Sequence, residues 1–193
     1  MGKIYYVMGK SCSGKDTVFR RLTERHPELR VVVPYTTRPI REGETDGIEY
    51  HFVDRKKMEE MKASGLIIEL RAYDTVLGVW NYFTADDGQI DLSAHSYIMI
   101  GTLVSYEAMR DYFGAGAIVP VYIEVEDGTR LERAIGRERK QAVPQYEEMC
   151  RRFLADAKDF SEEKLEKAGI RRRFVNTDLE ECLQEIEQLL KDN

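Results

Sequence analysis

Residues 3–17 read KIYYVMGKSCSGKDT, and this stretch decides the fold. Lys3 to Met8 is a short β-prone run without a breaker; Gly9 to Ser13 follows it, and a helical pattern with apolar Val18, Phe19 and Leu22 comes next. The order predicted is strand, loop, helix. Within it, Gly9-Lys10-Ser11-Cys12-Ser13-Gly14-Lys15 has the G-x-x-x-x-G-K spacing in the setting that motif requires. Glycines let consecutive backbone N–H groups curl around an anion, the helix N-terminus adds the positive end of its dipole, and Lys15 supplies a mobile full charge. The expected guest of Gly9, Ser11, Cys12, Ser13, Gly14 and Lys15 is therefore a polyphosphate.

The position after the lysine, usually a Ser or Thr whose hydroxyl touches magnesium, is Asp16 here, with Thr17 next. A carboxylate is a good ligand for a hard cation, yet it sets negative charge beside a phosphate chain. Asp16 and Thr17 stand as alternative Mg2+ ligands.

Outward from the loop, His26-Pro27 ends the first helix and Val31 to Val33 restarts a strand. Tyr35 to Gly47 is polar and turn-rich, expected as a working loop outside the core. Asp54 is placed to cap a helix that Gly65 stops, and Leu66–Leu70 and Val76–Tyr82 read as strands of a small β-rich insert. Tyr97–Ile100 and Ile118–Val125 are compact apolar strands around a helix at Leu103–Phe113, the second ended by Asp127-Gly128. Thr129 to Lys167 reads as helical and arginine-rich, broken near Pro144; Arg173–Val175 is a last strand, and Asp178 caps a closing helix. Strands alternating with helices imply an α/β fold on a parallel sheet.

The 193 residues suit one domain. With 42% hydrophobic and 33% charged residues, neither a disordered nor a fibrous class is suggested. No apolar run approaches a membrane span and nothing resembles a signal-peptide core, so no membrane partner is expected. Cys12, Cys150 and Cys182 are odd in number and far apart, which fits a reducing cytoplasm rather than a disulfide framework. A net charge of -6 argues against nucleic acid as a partner.

Between Pro34 and Val53 the chain packs Arg38, Arg41, Glu44 and Tyr50 into a segment with little apolar periodicity. Two arginines three apart can clamp one phosphate, Tyr50 can donate a hydroxyl hydrogen bond, and Glu44 can orient an arginine. The stretch reads as a monophosphate socket. Arg133 and Arg137 form an i, i+4 pair on one helix face, with Arg151 and Arg152 on the next helix.

Thr36-Thr37-Arg38, Arg41, Glu44, Gly47, Tyr50, Phe52 and Val53 fall on the signature of the guanylate kinase family, which this chain resembles along its length. The resemblance implies a P-loop three-layer α/β/α fold with a central parallel sheet, a small β-rich NMP-binding insert and a helical lid. It implies one kinase domain, with core 1–33, 85–127 and 150–193, insert 34–84 and lid 128–149. ATP would lie against the loop, Asp16, Thr17, Arg133 and Asn176. GMP would be held at its phosphate by Arg38, Arg41, Tyr50 and Tyr82, and its guanine read by Glu69 and Thr84. Lys15, Arg38, Arg133, Arg137 and Arg152 would carry phosphoryl transfer, with Mg2+ as cofactor, in the purine metabolism of the cytoplasm, by a monomer or homodimer.

The chain departs from that pattern in places. Pro34 stands where a serine is usual, Phe83 where a glycine is usual between Tyr82 and Thr84, and Ile98-Met99-Ile100-Gly101-Thr102 where two aspartates are usual, leaving Thr102 in their region. The stretch Tyr73–Trp80 is longer than the usual connection, and two outcomes are open for it: it reshapes the pocket with Trp80 and Tyr82, or it packs beneath the insert, the commoner fate of a tryptophan. Two other readings stand beside GMP kinase: a related kinase for another small monophosphate, and a non-catalytic binding module, against which Lys15 and its glycines argue.

Overall fold

Ile4-Tyr5-Tyr6-Val7-Met8 is apolar at every position because both of its faces are covered. In a computed structural model that describes every residue except Val76 and Leu77, the chain runs β1 (Ile4–Met8), α1 (Lys15–Arg25), β2 (Arg30–Val31), β3 (Tyr35–Thr36), β4 (His51–Phe52), α2 (Arg55–Ala63), β5 (Ile67–Thr75) and β6 (Gly78–Ala85). It continues through β7 (Tyr97–Ile100), α3 (Leu103–Phe113), β8 (Ile118–Glu124), α4 (Asp127–Glu138), α5 (Tyr146–Asp159), α6 (Glu162–Lys167), β9 (Phe174–Val175) and α7 (Leu179–Lys191).

A parallel sheet in the order β2-β7-β1-β8-β9 forms the middle layer. Ile4, Tyr6 and Met8 face a cluster with Leu103, Tyr106 and Met109 of α3 and Leu165 of α6. Tyr5 and Val7 face the opposite cluster, with Val18 and Leu22 of α1 and Cys182, Leu183 and Ile186 of α7. Strand side chains alternate, so a strand with no polar position requires a helical layer on each side. The expected three-layer architecture is the one observed. All strands of this sheet run the same way, so the carboxyl ends of β1, β7 and β9 deliver Gly9, Gly101 and Asn176 to the same end of the sheet. Open α/β sheets take their ligands there.

A second sheet, ordered β4-β3-β6-β5, has its own core of Met58 and Met61 from α2 with Phe83 and Ala85 from β6. Asp54 caps α2 as expected, its carboxylate accepting from the Lys57 amide at 2.7 Å. Four expectations change. The strand read as Leu66–Leu70 extends to Thr75, and the long connection is a hairpin arm in which Tyr73 pairs with Trp80. The expected strand start at Val76 lies outside the described residues; the strand itself continues to Ala85. Tyr35–Gly47 is not wholly outside the core: β3 lies in it, Thr36 is fully buried, and Arg38 is 4% exposed. Finally, Asp127 and Gly128 begin α4 rather than a turn, because the Glu126 carboxylate accepts from the Thr129 amide at 2.9 Å and caps the helix.

Phe83 is fully buried and stacks on Tyr35 with ring centroids 5.0 Å apart. In the register of β6 it lies on the face opposite Tyr82 and Thr84, so the bulk that replaces the usual glycine fills the insert's core. Phe83→Ala is expected to cost about 3 kcal/mol of stability, read as a lower urea midpoint; an unchanged midpoint would contradict that role.

Candidate active site

The loop after β1 turns through two left-handed residues, Cys12 at φ 63 and Gly14 at φ 86. A Cβ at position 14 would run into the Asn176 amide, so the glycine is needed for close approach as well as for its φ. That amide donates to the Ser13 carbonyl at 2.8 Å, and the Asn176 carbonyl accepts from Arg133 Nη2 at 3.0 Å. No side chain caps α1, so its first turn keeps N–H groups that the chain does not pair. The Ser13 hydroxyl is buried without a hydrogen-bond partner among the described residues. Lys15 Nζ rests 3.0 Å from the exposed Asp16 carboxylate.

Behind the loop lies a residue the sequence reading missed. Arg130, 1% exposed, donates to the Ser11 carbonyl at 2.9 Å, to Asp127 at 2.5 Å and to Asp156 at 3.0 Å, and its guanidinium lies 4.8 Å from the Phe153 ring centroid. The Ser11 amide is committed to Asp156 at 2.7 Å. Both helices α4 and α5 are thus tied to the outer rim of the loop. The i, i+3 spacing of Asp127 and Arg130 was the available signal.

The segment between Pro34 and Val53 is built around a clasp. Glu44 accepts from Arg38 Nη1 at 2.7 Å and Nη2 at 2.5 Å, and from the Arg41 amide at 2.8 Å. The Arg38 guanidinium also lies 5.2 Å from the Tyr50 ring centroid and 5.3 Å from that of Phe52. The Arg38 hydrogen bonds hold the Glu44 carboxyl down to about 2, and Glu44 in turn tightens the hold of Arg38 on its proton. Thr36 and Thr37 fasten the segment to β6: the Thr36 hydroxyl and the Thr37 amide both donate to the Asn81 carbonyl at 2.9 Å.

The hairpin supplies the next wall. Pairing matches Glu69 with Thr84, Arg71 with Tyr82 and Tyr73 with Trp80, so alternation puts all six on one face. Thr84 donates to Glu69 Oε1 at 2.9 Å, and Arg71 donates to Glu69 Oε2 through Nε at 2.8 Å and to Oε1 through Nη2 at 3.1 Å. Arg71 Nη1 also reaches Thr102 Oγ1 at 3.3 Å. Arg71 was absent from the expected site; counting by two from Glu69 along a strand would have found it. Of the two outcomes open for Trp80, the structure shows the pocket rather than the packing: it is half-buried and lines a cavity with Tyr82, because the longer hairpin carries it onto the Tyr73 face. Near Gly101 the space for a side chain is taken by the Tyr6 hydroxyl, which donates to Ser105 Oγ at 2.6 Å. That packing explains why no carboxylate stands there.

On the helical side, Glu148 accepts from Arg151 Nε at 2.6 Å and from Arg152 Nε at 2.7 Å, which pushes its carboxyl down to about 2. Two cavities join the parts. One, of about 590 Å3, has Asp16 of α1 and Tyr50 of the segment before β4 on its walls. The other, of about 870 Å3, is lined by Arg41, Tyr50, Arg71, Trp80, Tyr82 and Arg152, among others. Arg137 and Arg152 also border a crevice against Ser11 and Cys12. The loop residues with Arg133 and Asn176 form one group, and Arg38, Arg41, Glu44, Tyr50 and Tyr82 another. Arg71 links Glu69, Thr84 and Thr102 to the second group.

Residues 1–80 match the family model described as guanylate kinase. A guanylate kinase of Nostoc sp. is 30% identical over 203 aligned positions, covering 98% of this chain and 89% of that protein. One from Neisseria gonorrhoeae is 40% identical over 100 residues, 51% of this chain and 46% of that protein, and one from Frankia casuarinae is 54% identical over 61 residues, 32% and 33% respectively. The chain thus spans a third to just under half of those two relatives. The crystal structure of guanylate kinase from Anaplasma phagocytophilum shares the fold, with a TM-score of 0.66 at 19% identity over 99% of this chain and 85% of that one.

The depressed Glu44 carboxyl has a pH signature. Its ordinary value is 4.5 and its folded value about 2, so the clasp contributes fully above pH 4.5 and is lost as pH falls toward 2. Urea titrations should find Glu44→Gln less stable than the parent near neutrality, with the gap closing across that acid window. A gap of constant size from neutral to acid would contradict the assignment.

Proposed function

This chain belongs to the guanylate kinase family, and on that premise we propose that it transfers the γ-phosphate of ATP to GMP or dGMP, giving ADP and the nucleoside diphosphate. The observation that carries this reading is the shared walls: Asp16, next to Lys15, faces Tyr50 across one cavity, and Arg152 borders both the acceptor cavity and the crevice at Ser11 and Cys12. An anion cradle made of amides and an ammonium opens toward one made of guanidiniums. The insert at 34–84 serves as the acceptor half and 128–149 as the lid.

The chemistry asks for alignment and charge neutralisation rather than covalent help from the protein. A monophosphate, with its second pKa near ~6, is largely a dianion at neutral pH and attacks without a general base. Of the five N–H donors of Arg38, two on Nη1 and one on Nη2 are engaged, leaving two for the acceptor phosphate beside Arg41 and the hydroxyls of Tyr50 and Tyr82. Lys15 exchanges Asp16 for the donor phosphates. Arg133, Arg137 and Arg152 neutralise the transferring group, and Arg152 becomes available by leaving Glu148. Closure of the helical side over the cavity excludes water, which would otherwise accept the phosphoryl group.

Magnesium fits these residues in one manner. Among the described residues no group of three or more His, Cys, Asp or Glu could cage a metal, and Mg2+ in nucleotide sites is held by one or two side chains plus phosphates and waters. Asp16, exposed at the start of α1, and the neighbouring Thr17 would hold it. When bound, it neutralises phosphate charge. Among the described residues no helix is long and apolar enough to cross a membrane, and all three cysteines are free; a cytoplasmic monomer or homodimer fits both.

The direct test is ADP release from ATP and magnesium with GMP, AMP, UMP, CMP or dTMP as acceptor; release stimulated by GMP supports the reading, and none with any acceptor overturns it. In that assay Lys15→Ala should lower kcat at least ~1000-fold, and undiminished turnover would refute the donor cradle. Arg38→Ala should raise the GMP KM by roughly tenfold or more through loss of a charged hydrogen-bond pair; an unchanged GMP requirement would refute the acceptor clasp.

A further inference from the structure

The base-reading carboxylate expected at Glu69 is already occupied. A carboxylate accepts about four hydrogen bonds, and three are made here, two from Arg71 and one from Thr84. Glu69 is 4% exposed at its side chain and lies behind Arg71, which is 17% exposed and lines the acceptor cavity with Tyr50, Tyr73, Trp80 and Tyr82. A base entering among these rings meets donors where an acceptor is expected. Burial alone would push the Arg71 guanidinium down, and the adjacent Glu69 more than offsets this, so the charge stays in place.

The arithmetic of the fork decides what it can read. Arg71 has five N–H groups; Nε and one on Nη2 go to Glu69 and one on Nη1 goes to Thr102, which leaves one on each terminal nitrogen. Two parallel donors suit two adjacent acceptors. Among purines, a 6-oxo base presents O6 beside N7, whereas adenine presents a donor amine beside N7. The 2-amino group of guanine, which a free carboxylate would read together with N1–H, finds Glu69 nearly filled.

We propose that Arg71, rather than Glu69, reads the base, and that the acceptor is a 6-oxopurine nucleoside monophosphate recognised at O6 and N7, guanine and hypoxanthine being treated alike. The proposal rests on the monophosphate kinase reading above and widens it from GMP to a substrate class. Glu69 and Thr102 act through Arg71: one fixes the plane of the fork and the other its tilt.

Calorimetry with GMP, IMP and AMP, beside initial rates of ATP-dependent phosphorylation of the same three, tests it. In the parent protein GMP and IMP should bind within about threefold of each other and AMP at least ~100-fold more weakly, the discrimination expected when a buried donor fork faces a donor. Arg71→Met frees Glu69 for the 2-amino group and should shift the GMP-to-IMP ratio about tenfold or more toward GMP. Arg71→Lys keeps the buried charge but not the planar fork and should weaken both nucleotides together; it also answers the question if the methionine variant does not fold. A parent preference for GMP over IMP of ~50-fold or more, the signature of a carboxylate reading the 2-amino group, overturns the proposal, as does a folded Arg71→Met variant whose ratio is unchanged. Equal binding of GMP and IMP with no turnover of either would sink the kinase reading while upholding the role of Arg71. Failure of all three nucleotides to bind would sink both.

Discussion

Everything at the site depends on β1 being buried on both faces at the centre of a parallel sheet. A strand so enclosed can release the chain only at its carboxyl end, where neighbouring strands end too. Gly9 to Gly14 must turn there within a few residues and feed α1, whose N-cap has no side-chain cap among the described residues. The left-handed Cys12 and Gly14, the Asn176 amide against the loop and the buried Arg130 behind it are the means by which that turn keeps its shape. The loop is held from outside by these contacts, which fits the anion site proposed for its inner surface.

A second regularity runs through the site. Four of the cations that would meet phosphate or base already rest on carboxylates: Arg38 on Glu44, Arg71 on Glu69, Arg152 on Glu148 and Lys15 on Asp16. A buried guanidinium without a partner would cost several kcal/mol, so the pairing lets cationic groups gather in a cleft before any nucleotide arrives. Exposure separates two kinds of pair. The Arg38 and Arg71 pairs are largely buried and set geometry, whereas Arg152 with Glu148 and Lys15 with Asp16 sit nearer solvent, where an ion pair contributes little and exchanges readily.

The parts legible in the sequence were those in which local chemistry and fold agree. The G-x-x-x-x-G-K spacing after an apolar run and the Arg38, Arg41, Glu44 and Tyr50 constellation both hold within about fifteen residues of chain. Residues whose partners are distant were not legible. Arg130 meets Ser11 across 119 positions, and Arg71 meets Thr102 across 31. For Trp80 the sequence left packing and pocket both open, with burial the commoner fate of that side chain; the register of the hairpin decided for the pocket.

By itself, then, the amino-acid sequence determined the layered architecture, because a run hydrophobic at every position has only one kind of place in a sheet, and it determined the make-up of both proposed anion cradles, because their donors lie close together along the chain. Only the tertiary structure decided what stands in front of Glu69. Hairpin pairing sets Arg71 in front of Glu69, and a guanidinium interposed before a carboxylate replaces an acceptor with a donor, a reversal that the residue types alone leave undetermined.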